Sequence, residues 1–338
     1  MRYLITGITG FAGPHLANLL AEEGHEVIAL VRSSNGREDD IRDIVPDKNF
    51  SKIKFVYGDL THSESVNRIF KEENLDGVFH LAAQSHPPTS FLDPIGTFET
   101  NANGTVNIAN AIEKYAPDCK LMFCSTSEVY GNVPIEKGNI TEDFPIAPMN
   151  PYGVSKAAAD HYIIERARSS LVQSKLDPSK KPLQFFVTRA FSHTGPRRGH
   201  KFSISSDAYQ IVKIKKELQE RKIRVGNLES RRVVIDVRDC VKAYYMLMNK
   251  FTPGEAYNVG GDEVFSMDHF LNEMLKIEDL NGQVELYKDP ELARPIDIII
   301  QVCDTSKLRN LTGWKPEIPL EQTLRDLLNY WHRKISLN

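Results

Sequence analysis

The chain has 338 residues, of which 41% are hydrophobic and 26% are charged, a balance typical of a protein with a sizeable buried core. Its formal net charge of −3 gives no electrostatic reason to expect a nucleic-acid partner. No apolar run reaches the length of a bilayer span, and we expect a cytoplasmic protein without a membrane partner. The four cysteines lack the spacing of a metal site or a disulfide framework, which predicts reduced thiols and no bound metal.

Short apolar segments alternate with helical patterns through the first half of the chain. The segment 3–5 precedes a glycine-rich turn and a helix whose leucines share one face and which ends near Gly24. Further buried strands are predicted at 27–31, 53–57, 77–81 and 121–124, and a helix at 97–115. This alternation predicts an α/β fold with a Rossmann-type doubly wound parallel sheet, in which ligands bind beyond the carboxyl ends of the strands.

The pattern loosens from about residue 189, where short helices and short strands mix. We expect a smaller, mixed α/β lobe here that covers the carboxyl edge of the sheet. The predicted division is a cofactor-binding domain over 1–188, to which the chain returns near 233–260, and a substrate-binding lobe formed by 189–232 and 261–338.

The turn after the first strand carries three glycines, Gly7, Gly10 and Gly13. Between a strand and a helix, this spacing permits a tight turn and brings a pyrophosphate close to the helix N-terminus, so we expect a dinucleotide cofactor. The residues expected to contact it from the ends of the first, third and fourth strands are Gly7, Thr9, Gly10, Phe11, Ala12, Gly13, Asp59, Leu60, Leu81, Ala82, Ala83 and Ser85.

The residues after the second strand predict which dinucleotide binds. An acidic side chain there would accept the ribose 2′-hydroxyl of NAD, but this chain has Arg32 and Ser33. A guanidinium beside hydroxyl groups suits a 2′-phosphate, which favours NADP as the cofactor. The alternative is that Arg32 is a solvated surface charge and that the ribose is contacted elsewhere.

Two segments at and beyond the fifth strand predict the chemistry. Tyr152 and Lys156 are four residues apart on a predicted helix and share one face, where the ammonium is expected to lower the pKa of the phenol. A phenolate can accept the proton of an alcohol that loses hydride to a nicotinamide. Thr126 and Glu128 follow the strand, and the carboxylate of Glu128 supplies a base that an elimination requires and a simple oxidation does not.

With these motifs, the chain resembles the extended short-chain dehydrogenase/reductases and, within them, the GDP-mannose 4,6-dehydratase group. The similar segments are 83–86, 126–131, 150–152, 193–199, 226–232, 236–239 and 313–316, so the resemblance covers nearly the whole chain. Thr-Ser-Glu before Val-Tyr-Gly at 126–131 is typical of dehydratases, and Gly-Asn-Leu at 226–228 is typical of the GDP-sugar branch. The resemblance implies a homo-oligomer, either a dimer or a tetramer.

The resemblance also implies an internal redox elimination on a GDP-sugar. Tyr152 would take the proton of the C4 hydroxyl, Lys156 would hold the nicotinamide ribose, and Thr126 would orient the C4 oxygen. Glu128 would remove the C5 proton before water leaves from C6 and the hydride returns there. Related dTDP-glucose dehydratases carry an acid where this chain has Ser127, so Glu128 would serve as both base and acid.

Further contacts follow from positions that match the family pattern. His193 and Arg198 match positions that contact the cofactor. The residues expected to contact the substrate are Ser85, His86, Ser127, Glu128, Ser192, Asn227, Arg232 and Arg294.

Departures from the family pattern leave the substrate open. Ser192 stands where the family usually carries Asn, Ser206 or Asp207 stands where a basic residue is expected, and Val233 follows the arginine pair in place of an acidic residue and an aromatic. GDP-mannose, a GDP-heptose and a GDP-N-acetylhexosamine are all compatible with the sequence. An NADPH-dependent reductase or an epimerase of 4-keto-6-deoxy sugar nucleotides is the alternative enzyme, and a nucleotide-binding regulator without activity is the third class.

Each site residue also has a purely structural interpretation. Glu128 would cap the turn that follows it, Thr126 would be a strand-end hydroxyl, and His193 would be a buried, hydrogen-bonded histidine. Arg198 and Arg232 would be solvated surface charges.

Overall fold

The computed structural model describes residues 1–32, 38–292 and 300–336. In these residues the strands are β1 Arg2–Thr6, β2 Glu26–Val31, β3 Ile53–Tyr57, β4 Gly77–His80, β5 Lys120–Thr126, β6 Phe185–Ala190, β7 Ser192–Thr194, β8 Lys222–Val225, β9 Arg231–Asp236, β10 Ala256–Val259, β11 Val264–Ser266, β12 Glu285–Lys288 and β13 Ile300–Gln301. The α-helices are α1 Ala12–Glu22, α2 Asp47–Phe50, α3 Ser63–Glu72, α4 Pro87–Leu92, α5 Pro94–Phe98, α6 Gly104–Tyr115, α7 Pro151–Leu176, α8 Ser203–Lys215, α9 Val237–Asn249, α10 Met267–Ile277, α11 Ser306–Thr312 and α12 Leu320–Ser336.

Seven parallel strands form the central sheet in the order β3-β2-β1-β4-β5-β6-β10. The inner strands are continuous apolar runs, as expected when both faces of a sheet are covered by helices. The order reverses between β1 and β4, so the turns after these two strands meet at the carboxyl edge. The predicted doubly wound sheet is confirmed, and its switch point marks the place where such sheets bind ligands.

Helices cover both faces of the sheet. On one face, α1, α9 and α11 bury Leu16, Val241 and Leu308 in a common core that also contains Trp314. On the other face, α3, α6 and α7 bury a second core with the strands. Because α9, β10 and α11 all join these layers, the chain returns to the large sheet twice after residue 236.

A smaller lobe stands beside the carboxyl edge of the large sheet. Strand β9 pairs with β7 and β13 in parallel and with β11 in antiparallel orientation, while β8 and β12 form a separate parallel pair. Helices α8, α10 and α12 pack on these strands around a third apolar core. Strand β9 therefore belongs to the lobe, and the first return to the large sheet begins with α9. The division of the chain by function into two domains stays a prediction.

Within the described ranges, no helix combines the length and the apolar character that crossing a membrane requires. The same ranges contain no group of three His, Cys, Asp or Glu side chains placed to hold a metal ion. The four cysteines are free thiols.

Candidate active site

A cavity of about 680 Å³ lies where the carboxyl ends of β1, β4 and β5 face the smaller lobe. One part of its wall comes from the turns after these strands and from the first turns of α7. The other part comes from α8 and from the segment 226–232. The volume falls within the range of small-molecule sites in proteins, and the position is the switch point of the sheet.

The turn between β1 and α1 can only be made with glycines. Gly7 has a φ of 77°, and a Cβ there would lie 2.8 Å from the amide nitrogen of Ala82. A Cβ at Gly13 would lie 2.5 Å from the carbonyl oxygen of Gly7. The turn is therefore packed directly on the turn after β4, and the N-terminus of α1 lies at the cavity, where a pyrophosphate would be bound. These observations fit the dinucleotide that the glycine spacing predicts.

Arg197 forms hydrogen bonds that link this glycine turn to Asp43. Its guanidinium donates to the carbonyl oxygens of Thr9 at 3.0 Å and Gly10 at 2.9 Å, and to the carboxylate of Asp43 at 2.8 and 2.9 Å. Its φ of 75° is rare outside glycine and persists only where contacts of this kind hold it. Arg197 is a positioning residue because it binds two carbonyl oxygens of the turn whose glycines line the cavity.

Replacement of Arg197 by lysine is expected to raise the dissociation constant of the dinucleotide by about tenfold or more. A single ammonium cannot reach all the acceptors that the planar guanidinium joins, so the turn loses its fixed shape. Titration with NADP⁺ by calorimetry measures the change. Arg325→Lys is the matched control, because Arg325 forms an exposed pair with Glu321 on α12. An unchanged dissociation constant in a fully folded Arg197→Lys protein would contradict the assignment.

The predicted adenosine end lies after β2 and β3. Arg32 directly follows β2, and its charge acts on Asp59 at the end of β3. Burial raises the pKa of Asp59, but hydrogen bonds from Thr61 and the nearby Arg32 charge outweigh it, so the pKa is lower than usual. Ser33, the other predicted contact, lies outside the described residues. Arg32 and Asp59 are thus brought together, although neither lines the main cavity.

Thr126, Glu128, Tyr152 and Lys156 line one cavity, as the sequence predicts. Thr126 ends β5, and its hydroxyl accepts a hydrogen bond from the backbone N–H of Glu128 at 3.3 Å. Tyr152 and Lys156 lie in the first two turns of α7, which begins with Pro151. The hydroxyl of Thr126 also acts on the phenol of Tyr152 and lowers its pKa.

The pKa values of the pair differ from the sequence-based expectation. Burial raises the pKa of Tyr152, whereas the hydrogen bond from Thr126 and the charge of Arg198 lower it. Burial lowers the pKa of Lys156 to about 8, and its ammonium lies 4.2 Å from the centre of the Phe123 ring. Thr126 and Arg198 are thus groups that lower the pKa of Tyr152, and the predicted effect of Lys156 on this phenol stays a prediction.

Asn150 joins the two catalytic segments and was not predicted as a site residue. Its side-chain oxygen caps α7 by accepting from the N–H of Gly153 at 2.7 Å, and its side-chain nitrogen donates to Glu128 at 2.8 Å. One amide therefore places the carboxylate of Glu128 relative to the helix that carries Tyr152. Its N-cap position before Pro151 was visible in the sequence, but the second hydrogen bond depends on the folded loop.

His193 and Arg198 form an aromatic and cationic part of the wall. The ring of His193 stacks on Phe11 with centres 5.6 Å apart, and burial followed by the Arg198 charge lowers its pKa to about 4. The guanidinium of Arg198 lies 3.5 Å from the centre of Phe202 and 4.8 Å from that of Phe11. Its side chain has no hydrogen bond or ion pair with any residue in the described part of the chain, and burial lowers its pKa to about 10. A desolvated cation of this kind suits an anionic phosphate.

Most of the predicted site residues reach the cavity. Those that line it are Gly7, Gly10, Phe11, Ala12, Gly13, Leu81, Ala82, Ala83, Ser85, His86, Thr126, Glu128, Tyr152, Lys156, Ser192, His193, Arg198, Asn227 and Arg232. Arg294 lies outside the described residues.

Besides Arg32 and Asp59, three further predicted contacts lie outside the cavity. The hydroxyl of Ser127 donates to Gln301 at 3.0 Å, because the tight turn after β5 directs it into the smaller sheet. Leu60 is buried against Gly104, and Thr9 meets Arg197 through its carbonyl oxygen. The predicted substrate contact of Ser127 and the predicted cofactor contacts of Leu60 and Thr9 have no support from this geometry.

Asp207 is a cavity residue that was noted in the sequence only as a departure from the family pattern. It lies on α8, is 5% exposed and lines the cavity. Burial alone raises the pKa of its carboxyl to about 7. No charged group contributes to this raised pKa, so no nearby cation offsets the effect of burial on the carboxyl.

The raised pKa of Asp207 predicts a pH dependence of stability in the nucleotide-free protein. Between about pH 4 and about pH 7 the folded chain holds this proton and the unfolded chain does not, so the free energy of unfolding falls as the pH rises. The expected slope is up to about 1.4 kcal/mol per pH unit relative to Asp207→Asn, which lacks the titration. Urea denaturation of both proteins across this range measures it. Parallel profiles for the two proteins would exclude the effect.

Comparisons with known proteins agree with the fold. The family model described as GDP-mannose 4,6 dehydratase matches residues 4–327. GDP-mannose 4,6 dehydratase 2 of Arabidopsis thaliana is 30% identical over 336 residues, which cover 96% of this chain and 85% of the relative. GDP-6-deoxy-D-mannose reductase of Pseudomonas aeruginosa is 29% identical over 334 residues, which cover 99% of this chain and 98% of the relative.

A solved structure with bound cofactor has the same fold. The structure of RMD from Pseudomonas aeruginosa complexed with NADPH aligns with a TM-score of 0.79 at 27% identity and covers 98% of this chain and 99% of that chain. Because the family model spans nearly the whole chain and the glycine turn, Thr126, Glu128, Tyr152 and Lys156 share one cavity, this chain belongs to the GDP-mannose 4,6-dehydratase family of extended short-chain dehydrogenase/reductases.

Proposed function

We propose that this chain is a hydro-lyase, an NADP-dependent GDP-sugar 4,6-dehydratase that forms a 4-keto-6-deoxy sugar nucleotide. The observation that carries the proposal is the presence of Thr126, Glu128 and Tyr152 in one cavity with a glycine turn built for a dinucleotide. A dehydrogenase would need only the phenol and the cofactor. The carboxylate beside them adds the base that an elimination requires.

Tyr152 acts first, as the base for the C4 hydroxyl of the sugar. The hydrogen bond from Thr126 and the charge of Arg198 favour its phenolate, and both oppose the effect of burial. When bound, the nicotinamide supplies the acceptor for the C4 hydride and the donor that returns it to C6. Thr126 can also hydrogen-bond the C4 oxygen, because a hydroxyl both donates and accepts.

Glu128 performs the elimination. Oxidation at C4 acidifies the C5 proton, which the carboxylate removes, and the same group then donates that proton to the C6 hydroxyl as it leaves as water. The hydrogen bond from Asn150 fixes one oxygen of the carboxylate and leaves the other for the sugar. The hydroxyl of Ser127 is bonded to Gln301, so Glu128 is the acid and base that this turn offers.

The proposal that the cofactor is NADP rests on Arg32, the residue that follows β2. Arg32 stands where an acidic residue would select NAD, and a guanidinium there suits a ribose 2′-phosphate. The Pseudomonas aeruginosa structure with the same fold contains NADPH, which supports this choice. Arg198, desolvated between two aromatic rings, is proposed to meet a phosphate of the dinucleotide.

The nucleotide of the substrate is proposed to be guanosine diphosphate, as in the names of the GDP-mannose 4,6 dehydratases that the chain resembles. The cytoplasmic location and the homo-oligomeric state expected from the sequence stay predictions. The sugar is proposed to be mannose, a heptose or an N-acetylhexosamine, the three classes that the sequence leaves open.

The proposal is tested by incubating the purified chain with NADP⁺ and a panel of GDP-, UDP-, CDP- and dTDP-sugars, without any added reductant. The expected result is loss of one water from a GDP-sugar, detected by mass spectrometry, with no net reduction of the cofactor. Turnover of none of the panel would contradict the proposal.

A reductase is the second candidate, because the Pseudomonas aeruginosa relative with this name matches 99% of the chain. It would consume NADPH stoichiometrically with a 4-keto-6-deoxy sugar nucleotide and would leave the panel of GDP-sugars unchanged. Both assays on one preparation therefore separate the two activities.

A further inference from the structure

Asp207 presents an unusual carboxyl group to the cavity. It is 5% exposed, lines the cavity wall and has no hydrogen bond or ion pair with any side chain or backbone group within residues 1–32, 38–292 and 300–336. Its oxygens are not among the fully enclosed atoms that lack a partner, so they reach the cavity, where they meet no donor from the described residues. A carboxyl in such a position is explained if a ligand supplies the missing hydrogen-bond donors.

Asp207 lies on the wall of the cavity that α8 contributes, whereas the reacting groups lie at the end of β5 and on α7. Gln210 lies three residues later on the same face of α8, and its amide is bonded to the backbone N–H and C=O of Arg224 at the end of β8, at 2.9 and 3.0 Å. This face of α8 therefore adjoins the segment 226–228 that follows β8 and also lines the cavity.

A sugar nucleotide has a fixed order of parts. If the C4 hydroxyl meets Tyr152, the diphosphate extends away from it, and the base lies at the far end. Asp207 and the segment 226–228 form a wall of the cavity that belongs to the smaller lobe rather than to the catalytic turns. The base is thus the part of the substrate that Asp207 is placed to contact.

The chemistry of a carboxylate selects among the bases. Ionised, it offers only acceptors, and its two oxygens match two adjacent N–H donors. Guanine presents N1–H and the N2 amino group side by side. Uracil and thymine present one N–H between two carbonyl oxygens, and adenine and cytosine place an acceptor nitrogen beside their amino group, so each of these would set an acceptor against the carboxylate.

We propose that Asp207 is the residue that reads guanine, by accepting hydrogen bonds from N1–H and the N2 amino group of the substrate base. This inference rests on the proposed function, because it takes the substrate to be a nucleotide sugar with its reacting carbon at Tyr152. It assigns a specificity role to Asp207, which with Ser206 is one of the two residues that stand where the family pattern has a basic residue.

The test is nucleotide binding, measured by calorimetry with GDP, inosine diphosphate and xanthosine diphosphate. Inosine diphosphate lacks the N2 amino group, and xanthosine diphosphate has a carbonyl oxygen in its place. The parent protein is expected to bind GDP at least about tenfold more tightly than either analogue. Asp207→Asn is expected to lose about tenfold or more in affinity for GDP and to prefer xanthosine diphosphate, since its amide nitrogen can donate to the new carbonyl.

Controls separate this result from loss of folding or of function. Asp268→Asn, at an exposed position on α10, is the matched control, and each variant must retain the NADP⁺ affinity of the parent. Asp207→Ser, a second variant, is expected to bind the three nucleotides with similar affinity. Equal binding of the three nucleotides by the parent, no binding of GDP, or unchanged GDP affinity in both variants would overturn the proposal.

Binding of nucleotides needs no turnover, so the two proposals fail in different ways. A chain that dehydrates no sugar nucleotide but shows this dependence on Asp207 would contradict the proposed function alone. A chain that dehydrates GDP-sugars equally well with Asn at 207 would contradict the assignment of Asp207 alone.

Discussion

Tyr152→Phe is expected to lower kcat for the 4-keto product by about 10²- to 10⁴-fold, the usual contribution of a positioned acid or base. The phenol is the group that accepts the C4 proton, it is buried in the cavity wall, and the hydroxyl of Thr126 lowers its pKa. The ring remains, so the packing of α7 and the affinity for NADP⁺ should change little. Initial rates and a separate NADP⁺ titration measure the two effects.

Tyr162→Phe is the matched control for this change. Tyr162 lies on the same helix, but its hydroxyl donates to Asn110 at 2.7 Å on the protein surface. We expect its kcat to remain within about threefold of the parent value, because an exposed neutral hydrogen bond contributes little. If Tyr152→Phe kept a kcat as close to the parent as Tyr162→Phe does, Tyr152 would not be the base.

Glu128→Gln is expected to abolish water loss, with a fall of about 10²- to 10⁴-fold in kcat, and to stop deuterium exchange at C5 in heavy water. The amide oxygen of Gln can still accept the hydrogen bond from Asn150, so the side chain keeps its position while it loses the ability to take a proton. Mass spectrometry of the recovered sugar nucleotide follows both effects.

Deuterium exchange at C5 distinguishes a catalytic base at position 128 from a residue that only caps the turn. Glu136→Gln, eight residues further along and exposed, is the control and should exchange at the parent rate. Exchange at C5 that survives in Glu128→Gln would remove the proposed role and leave Glu128 as a residue that only shapes the turn after β5.

The sequence predicts the centre of the site well because the architecture is simple. In a parallel sheet, every strand delivers its following turn to one edge, so the glycines after β1, the Ala-Ala-x-Ser turn after β4 and the Thr126–Glu128 turn after β5 are expected to meet. The four-residue spacing of Tyr152 and Lys156 fixes their common helix face in the same way.

Other features depend on the folded chain and have no local pattern. Arg197 reaches the carbonyl oxygens of Thr9 and Gly10 across most of the sequence, and no periodicity indicates such a contact. The hydroxyl of Ser127 turns to Gln301 because the tight turn after β5 reverses its direction. Motif position alone therefore assigned Ser127 to the substrate, where the geometry does not.

Burial explains why the pKa values of Tyr152 and Lys156 in the structure differ from the values expected from the sequence. The sequence places an ammonium near a phenol and predicts a lower pKa, but it does not reveal how deeply both groups are buried. In the structure, desolvation raises the pKa of Tyr152 and lowers that of Lys156. The same effect gives Asp207 its raised pKa, although the two residues before it, Ser205 and Ser206, are small and polar.

The central claim, that this cavity performs an oxidation, an elimination and a reduction on one sugar, is tested most directly with a GDP-sugar that carries deuterium at C4. The expected product has lost one water and retains the deuterium at C6, and the cofactor is unchanged at the end. A GDP-sugar that is not dehydrated, or deuterium that accumulates on free NADPH and does not return to the sugar, would contradict it.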